Sequence, residues 1–487
     1  MEKTILSLIY LLSVVLAFGQ EKAMLVADRF VSDCSFALER TTAAPQTFPA
    51  EVRYLREIAL SEDGIYRIGY NTRTYPRETA YDSYEFENYA ELRLRAGVQT
   101  LPAALSEARY VAIVLEDGSA DPRARVSVLE HEKTQLRYSV SPSAAFRKHS
   151  NIEWHYAVGA TLSGLRCFAQ TIGERKYIDH IDRIIDTNLA NMPLFREQYD
   201  AGCRRTQNYR LFRSAMLDDT SGPALPYVEA AAAGNGREDL RALIDSVACY
   251  VYERQYRLPD GTWVRAEPKW TVWCDDMFMG GAFLTRLYDL TGDEGHLHEA
   301  CRQALSYYGY LCDESSGLMY HAWDDTRGRH LGAHWGRANG WYLWAVSDIL
   351  SRLPQGSVEF SRLLSVHNSL LRSIVRYQAE DGMWHQVIDC PETYEESSAT
   401  CAFVFALARA VRKSWLPPEY LEYARRGWAA IESRISSDGR LRGICRSMSV
   451  QNDVEGYNSR ETADNDPRGL GLFFMAAAEM NLTDSKI

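Results

Sequence analysis

The strongest constraint on the fold of this chain is a repeat. Short polar turns begin at Thr171, Gly234, Thr291, Pro354 and Trp415, so the successive steps are 63, 57, 63 and 61 residues. Each turn precedes a polar amphipathic stretch with helical periodicity, such as His296 to Tyr307. A glycine-bearing loop and a more apolar stretch follow. The loops echo one another: Asp260-Gly-Thr-Trp, Ser316-Gly-Leu-Met-Tyr, Asp381-Gly-Met-Trp and Asp438-Gly-Arg-Leu. A repeat of about 60 residues with two helices per unit marks an array of helical hairpins, because one hairpin cannot bury its apolar helix alone. Six such hairpins fill residues 151–487. The chain therefore reads as mainly α, an (α/α)6 toroid with the more apolar helices as the inner ring. An open solenoid is the alternative; the unequal, Trp-rich loops favour closure around a pocket at one end.

The region before Asn151 has a different character. All 11 Trp lie at or after Trp154. Upstream, Glu51-Val-Arg-Tyr-Leu-Arg, Gly64-Ile-Tyr-Arg-Ile-Gly, Tyr89-Ala-Glu-Leu-Arg-Leu-Arg, Tyr110-Val-Ala-Ile-Val-Leu and Ala124-Arg-Val-Ser-Val-Leu alternate with period two. Residues 20–150 are accordingly expected to be β-rich, a sandwich of unassigned role. Residues 1–19 read as a cleavable signal peptide: Met-Glu-Lys, an apolar run from Ile5 to Phe18, then Ala17-Phe18-Gly19. That run is shorter than the ~20 residues of a membrane span. The next cysteine is Cys34, so no anchor cysteine follows it, and the expected location is periplasmic or secreted. A net charge of −11 without a basic stripe argues against nucleic acid as a partner. The ten cysteines are scattered, with no CxxC pair and no zinc spacing. Cys167, Cys249, Cys274, Cys301 and Cys401 read as buried free thiols, with a Cys301–Cys312 bridge the less favoured option. Neither metal nor cofactor is expected.

The repeat also registers the unusual residues. In each unit they fall between the glycine loop and the apolar helix, so a ring brings them to one end of its axis. They are Trp154 and Tyr156; Asp218 and Asp219; Asp275 and Asp276; His334, Trp335, Arg337, Asn339 and Trp341; Glu395 and Glu396; Asp466 and Arg468. Asp275 and Asp276 sit in the greasy run Trp273-Cys-Asp-Asp-Met-Phe-Met. Burial raises a carboxyl pKa, and a carboxyl protonated near neutrality is a general acid. The same pair also reads as a helix N-cap, and Asp218-Asp219-Thr-Ser-Gly as a turn with a cap. His321 alone reads as a loop histidine. In His334-Trp-Gly-Arg-Ala-Asn-Gly-Trp, Arg337 offers a planar fork for a carboxylate, and Trp335 and Trp341 offer flat faces for a sugar. Carboxylates, aromatic rings and an arginine in an exported chain point to carbohydrate chemistry on an acidic sugar.

At these residues the chain resembles glycoside hydrolase family 105, the unsaturated rhamnogalacturonyl and glucuronyl hydrolases, with family 88 as a relative. The matching pieces run in order: Trp154-His-Tyr-Ala-Val-Gly, Leu217-Asp-Asp-Thr-Ser-Gly, Trp273-Cys-Asp-Asp-Met-Phe-Met, Gly317-Leu-Met-Tyr-His-Ala-Trp-Asp, Trp335-Gly-Arg-Ala-Asn-Gly-Trp, Asp381-Gly-Met-Trp-His-Gln-Val, Glu396-Ser-Ser-Ala-Thr and Asp466-Pro-Arg-Gly-Leu-Gly. The resemblance implies a substrate left by a polysaccharide lyase, an acidic oligosaccharide whose non-reducing uronic acid carries a C4=C5 double bond. A carboxylic acid protonates C4, water adds at C5, and the hemiketal opens to expel the remaining glycan. By motif, Asp275 is the implied proton donor and water activator and Asp218 its partner acid, with Asp276 and Asp219 as alternates. Arg337 and His321 are implied at the uronate end, Trp335 and Trp341 against the unsaturated ring, and Tyr156 at the −1 side. Asn339, Trp384 and His385 complete the expected substrate contacts. His385 stands where the family pattern has an aromatic residue, which unsettles the +1 subsite. The rival readings are another (α/α)6 carbohydrate enzyme, whether lyase or ordinary glycosidase, and a non-catalytic glycan-binding protein.

Overall fold

A computed structural model describes residues 153–484 apart from 201–207 and 266–269. Upstream it describes 24–30, 35–41, 50–51, 57–60, 63–73, 77–80, 83–108, 110–118, 125–129 and 146–147. The expected signal peptide lies outside these residues. Two compact units emerge, one holding 155–185 with 213–487, the other 12–154 with 186–212.

The first unit is the helical ring. Its long helices are α1 (Tyr156–Ile172), α2 (Arg175–Asp200, which runs on into the second unit), α3 (Ser221–Ala232), α4 (Glu238–Cys249), α5 (Phe283–Thr291), α6 (Glu294–Leu311), α7 (Gly336–Leu350), α8 (Val358–Ile374), α9 (Ser397–Arg412), α10 (Leu421–Ser433) and α11 (Pro467–Asp484). The odd-numbered helices pack in sequence: α1 on α3, α3 on α5, the turn 278–282 leading into α5 on α7, α7 on α9 and α9 on α11, and α11 returns to α1. The ring is closed, and the solenoid alternative falls. Its inner helices are buried on most faces: α7 is buried along its whole length. The outer helices are one-sided. In α6 the buried Leu297, Ala300, Cys301, Ala304, Tyr307 and Leu311 recur at three- and four-residue steps. The five outer helices follow the five turns found in the sequence, so the first inner helix stands ahead of the first turn.

The closing seam needs residues without side chains. A Cβ on Gly164 of α1 would lie 2.4 Å from the Gly471 carbonyl oxygen of α11, and one on Gly471 would lie 2.5 Å from that of Ala160. Such distances are unreachable for a real side chain, so glycine alone allows these backbones to touch.

Toward the C-terminal ends of the inner helices runs a belt of buried charge. Arg166 of α1 approaches Glu229 of α3 at 3.9 Å, and Glu229 meets Arg286 of α5 at 2.8 Å. Arg286 meets Asp348 of α7 at 2.7 Å, Asp348 meets Arg409 of α9 at 2.7 Å, and Arg409 meets Glu479 of α11 at 2.6 Å. Each inner helix supplies one member, and the signs alternate. Arg412 adds a second cation to Glu479 at 2.7 Å.

The second unit is antiparallel β. One strand order is 24–30, 35–41, 125–129, 57–60, 97–100; another is 50–51, 110–118, 64–71, 88–94. The alternation at Gly64–Asn71 turns Tyr66 and Ile68 inward, as their period predicts. The run expected over 51–56 is a strand only at Ala50–Glu51, and residues 52–56 lie outside the described set. Among the expected buried thiols, Cys274, Cys301 and Cys401 are buried, whereas Cys167 is half-buried and Cys249 exposed. Cys301 and Cys312 are both free. Among the described residues no helix is long and apolar enough to cross a membrane.

Candidate active site

The end of the ring opposite the charge belt is where the inner helices begin. Asp218 lies in the short turn Leu217–Asp219 before α3, and Asp275 and Asp276 lie just before the π-turn Phe278–Ala282 that leads into α5. A π-turn at such a place is a common mark of a functional site. Strand Thr271–Trp273 pairs antiparallel with Ala322–Asp324, and the Cys274 N–H extends the ladder to the His321 carbonyl at 2.9 Å. That register sets Asp275 beside His321, with Asp275 Oδ2 3.3 Å from His321 Nε2.

The two acid pairs divide in the same way. Asp276 is 2% exposed and grips Arg265, at 2.6 Å to Nη2 and 2.9 Å to Nε. Asp219 is fully buried and takes a two-pronged grip from Arg213, at 2.7 and 2.9 Å. The side chains of Asp218 and Asp275 keep 17% and 14% of their surface open. Asp218 touches the same Arg265 at 3.2 Å. So Asp275 and Asp218 face the opening, while the alternates Asp276 and Asp219 hold arginines. Neither Asp275 nor Asp276 caps a helix with its side chain, which removes the N-cap reading.

The charges are not distributed as the sequence suggested. Burial pushes Asp218 up to about 7, and the negative charges of Asp276, Asp275 and Asp219 add to it against the pull of Arg265. Burial also raises Asp276. Burial pushes Asp275 upward too, but His321, Arg265 and Arg337 outweigh it and hold it below the ordinary carboxyl range. The expectation of a raised Asp275 is therefore corrected: Asp218 is the acid pushed toward its protonated form, and Asp275 is pushed toward its ionised form. The apolar run around Asp275 is real, yet histidine and arginine from elsewhere in the chain reverse its effect.

His321 is fully buried, with Nδ1 2.7 Å from the Tyr457 hydroxyl. That hydroxyl accepts the Gln451 N–H at 3.4 Å and a bond from the Ala333 backbone, so its own proton goes to Nδ1. The Tyr457 contact thus holds the ring with Nε2 3.3 Å from Asp275 Oδ2. His321 therefore stands against Asp275, inside the wall of the acid cluster. Replacing Tyr457 by Phe removes one bond worth about 1 kcal/mol. Tyr457→Phe is expected to lower kcat about tenfold with KM within twofold, in steady-state assays on the enzyme's substrate.

The other expected contacts differ in how far the fold encloses them. Arg337 is 1% exposed, and its fork is taken by the Cys445 and Arg446 carbonyls at 2.5 and 2.7 Å and by Ser398 at 3.2 Å. Its charge reaches Asp275, and while Nη1 and Nη2 are engaged, Nε is buried without a hydrogen-bond partner. Trp335 is 2% exposed, lies under the Arg337 guanidinium at 4.8 Å and donates to Gln386 at 3.1 Å. Trp341 is 1% exposed, stacked on Phe278 at 4.5 Å with Tyr156 edge-on at 6.5 Å. Neither indole offers an open face to a sugar. Asn339 spends its amide on Met319 and the Trp335 carbonyl. Trp384 is buried, donating to the Ile374 carbonyl at 2.9 Å. Tyr156 stays half-buried at the start of α1, and burial raises its pKa. His385 is also half-buried, with Nδ1 on the Thr393 carbonyl at 2.6 Å.

Two residues went unread in the sequence. Arg265 stacks on Trp273 at 4.1 Å and ties Asp218 to Asp276. Its signal was an arginine closing the apolar run Thr262-Trp-Val-Arg265. Tyr457 lies in a short helix, Val454–Asn458, outside the repeat, and no local pattern marks it.

Comparison with known proteins agrees with this architecture. A structure from Salmonella enterica described as a possible member of the GH105 family superposes with a TM-score of 0.60 at 21% identity, covering 69% of this chain and 86% of that one. A family 105 glycoside hydrolase from C. acetobutylicum gives 0.59 at 24%, over 67% and 93%. An unsaturated rhamnogalacturonyl hydrolase of Bacillus subtilis, YesR, is 31% identical over 211 residues, which are 42% of this chain and 59% of that protein. An unsaturated 3S-rhamnoglycuronyl hydrolase of Alteromonas is 25% identical over 214 residues, 43% of this chain and 50% of that protein. The chain thus spans between half and three-fifths of these relatives' lengths. The model of Glycosyl Hydrolase Family 88 matches residues 130–483, and the chain belongs to that family of glycoside hydrolases.

Proposed function

We propose that the protein removes a 4,5-unsaturated uronic acid from the non-reducing end of lyase-generated oligosaccharides by hydrating the vinyl ether. The observation that carries this reading is a pair of partly exposed acids where the inner helices begin, Asp218 against Arg265 and Asp275 against His321, with their pKa values driven in opposite directions. Vinyl-ether hydration consumes a proton at C4 and needs a base for the water that adds at C5. One acid of the pair is driven toward its protonated form and the other toward its ionised form. Asp275 is the group that transfers the proton and afterwards serves the water, and Asp218 is the partner that supplies the proton to the pair. A bound uronate adds negative charge beside Asp275, and a like charge favours its protonated form. An anionic substrate suits this end for a further reason: the inner helices all present their positive N-termini here. The names of the relatives support the same substrate class. Export through residues 1–19 to the periplasm or medium belongs to the proposal.

The direct test uses absorbance of the double bond. Incubation with unsaturated disaccharides from several polymers is expected to make that absorbance fall. A rise with intact polymer would instead identify a lyase, a reading kept in view because a protein named a polysaccharide lyase shares the fold at a TM-score of 0.52 and 16% identity. The pH dependence follows from the acid pair. Asp218, raised to about 7, is protonated below that pH and loses its proton above it. Asp275, held low, stays ionised until well into the acid range. The measured kcat/KM is therefore expected to be flat between about pH 5 and 7 and to fall about tenfold per unit above about pH 7.

A further inference from the structure

Tyr256 is 51% exposed, one of few large apolar side chains so open among the described residues. Half-buried Trp270 meets it edge-on, with centroids 6.1 Å apart and ring planes at 84°. The two rings form an open corner that contributes nothing to the core. Their backbones bond the adjacent residues Val264 and Arg265. The Tyr256 carbonyl accepts the Val264 N–H at 3.0 Å, and the Trp270 N–H bonds the Arg265 carbonyl at 3.1 Å. Arg265 then reaches inward to Asp218 and Asp276. The corner thus lies at the backbone end of an arginine whose other end is in the acid cluster. Trp270 holds a left-handed backbone, φ 55°, which a bulky side chain rarely adopts. Its carbonyl, accepting the Asp325 N–H at 3.0 Å, helps to fix it there.

We propose that the Tyr256–Trp270 corner is a sugar platform for the leaving-group side of the substrate. Two rings at right angles present one flat face and one edge, which suits a pyranose whose axial C–H groups stack while its hydroxyls face solvent. The ligand class is a neutral or acidic pyranoside beyond the sugar attached to the unsaturated uronate. The acids bind the terminal ring, and an arginine's length away the corner takes a later one. This inference rests on the functional reading above and adds a chain-length preference to it.

The experiment compares an unsaturated disaccharide with an unsaturated tetrasaccharide of the same polymer. In the wild type, kcat/KM is expected to favour the tetrasaccharide about tenfold, the scale of one aromatic stacking contact. Tyr256→Ala and Trp270→Phe are expected to lower that ratio, with the loss carried by KM for the longer substrate. The ratio is internal to each variant, so partial misfolding does not imitate the effect. A wild-type ratio near one, or a ratio unmoved in Tyr256→Ala, overturns the platform. Titration with the corresponding saturated oligosaccharide, followed by tryptophan fluorescence, separates the two readings. A response in the wild type that Tyr256→Ala abolishes supports the platform even if no unsaturated substrate is consumed, in which case the functional reading alone fails. No response, together with normal turnover of the disaccharide, removes the platform and leaves the function standing.

Discussion

Asp275→Asn is expected to lower kcat/KM on an unsaturated uronyl oligosaccharide by about 10³-fold while the fold stays intact. The side chain is 14% exposed, and its protein contact is a 3.3 Å approach to His321, so an amide of the same shape fits the space. What it cannot do is exchange a proton with the substrate. Asp276→Asn provides the contrast. That carboxylate is 2% exposed and neutralises Arg265, so its loss leaves a buried cation short of its partner. Its expected signature is reduced stability together with reduced activity. Denaturant unfolding alongside absorbance kinetics distinguishes the two. If Asp275→Asn turned over substrate at the wild-type rate, the assignment of Asp275 would be wrong and a glycan-binding role would gain ground.

Asp348→Asn is expected to cost about 3–5 kcal/mol of unfolding free energy, the scale on which removing one partner from a buried ion pair is felt. Asp348 joins Arg286 and Arg409 from two neighbouring inner helices, each at 2.7 Å, so a single neutral substitution takes one of two anionic partners from each guanidinium and leaves them Glu229 and Glu479. Burial works against the Asp348 charge, but Arg286, Arg409 and Arg352 outweigh it and hold the carboxyl down at about 2. A carboxyl depressed in the folded state stabilises above its unfolded value of 3.8 and loses that contribution as pH falls toward about 2. The wild type is therefore expected to lose this stability between about pH 4 and 2, and the Asn variant to lack that component. Urea melts at neutral and acid pH read both effects; an Asp348→Asn midpoint equal to wild type at pH 7 would show that the belt contributes nothing.

The ring was legible because its signals are local and repeated. Polar turns, one-sided outer helices and apolar inner helices each leave a pattern within a dozen residues, and the repeat multiplies it. The motif ranked Asp275 and Asp218 ahead of Asp276 and Asp219 as catalytic acids, and those two are the ones that keep open surface. The partners of those acids were not legible. Arg337 looked like a free fork because sequence cannot see the Cys445 and Arg446 carbonyls that fold across from a later unit. The direction of the Asp275 shift was misread for the same reason, since His321 comes from another hairpin and is aimed by Tyr457 from a third place in the chain. Trp335 and Trp341 were expected at a sugar by type, but flat rings serve a dense inner wall equally well.

The belt of alternating charge also bears on how such a ring can change over evolutionary time. Arg166, Glu229, Arg286, Asp348, Arg409 and Glu479 place opposite signs on every pair of neighbouring inner helices linked above. A closed circle of alternating signs needs an even number of members. Deleting or duplicating a single hairpin would set two like charges side by side in a dry interior, whereas a change by two preserves the alternation. The belt therefore acts as a parity constraint on the number of hairpins, independent of anything that happens at the catalytic end.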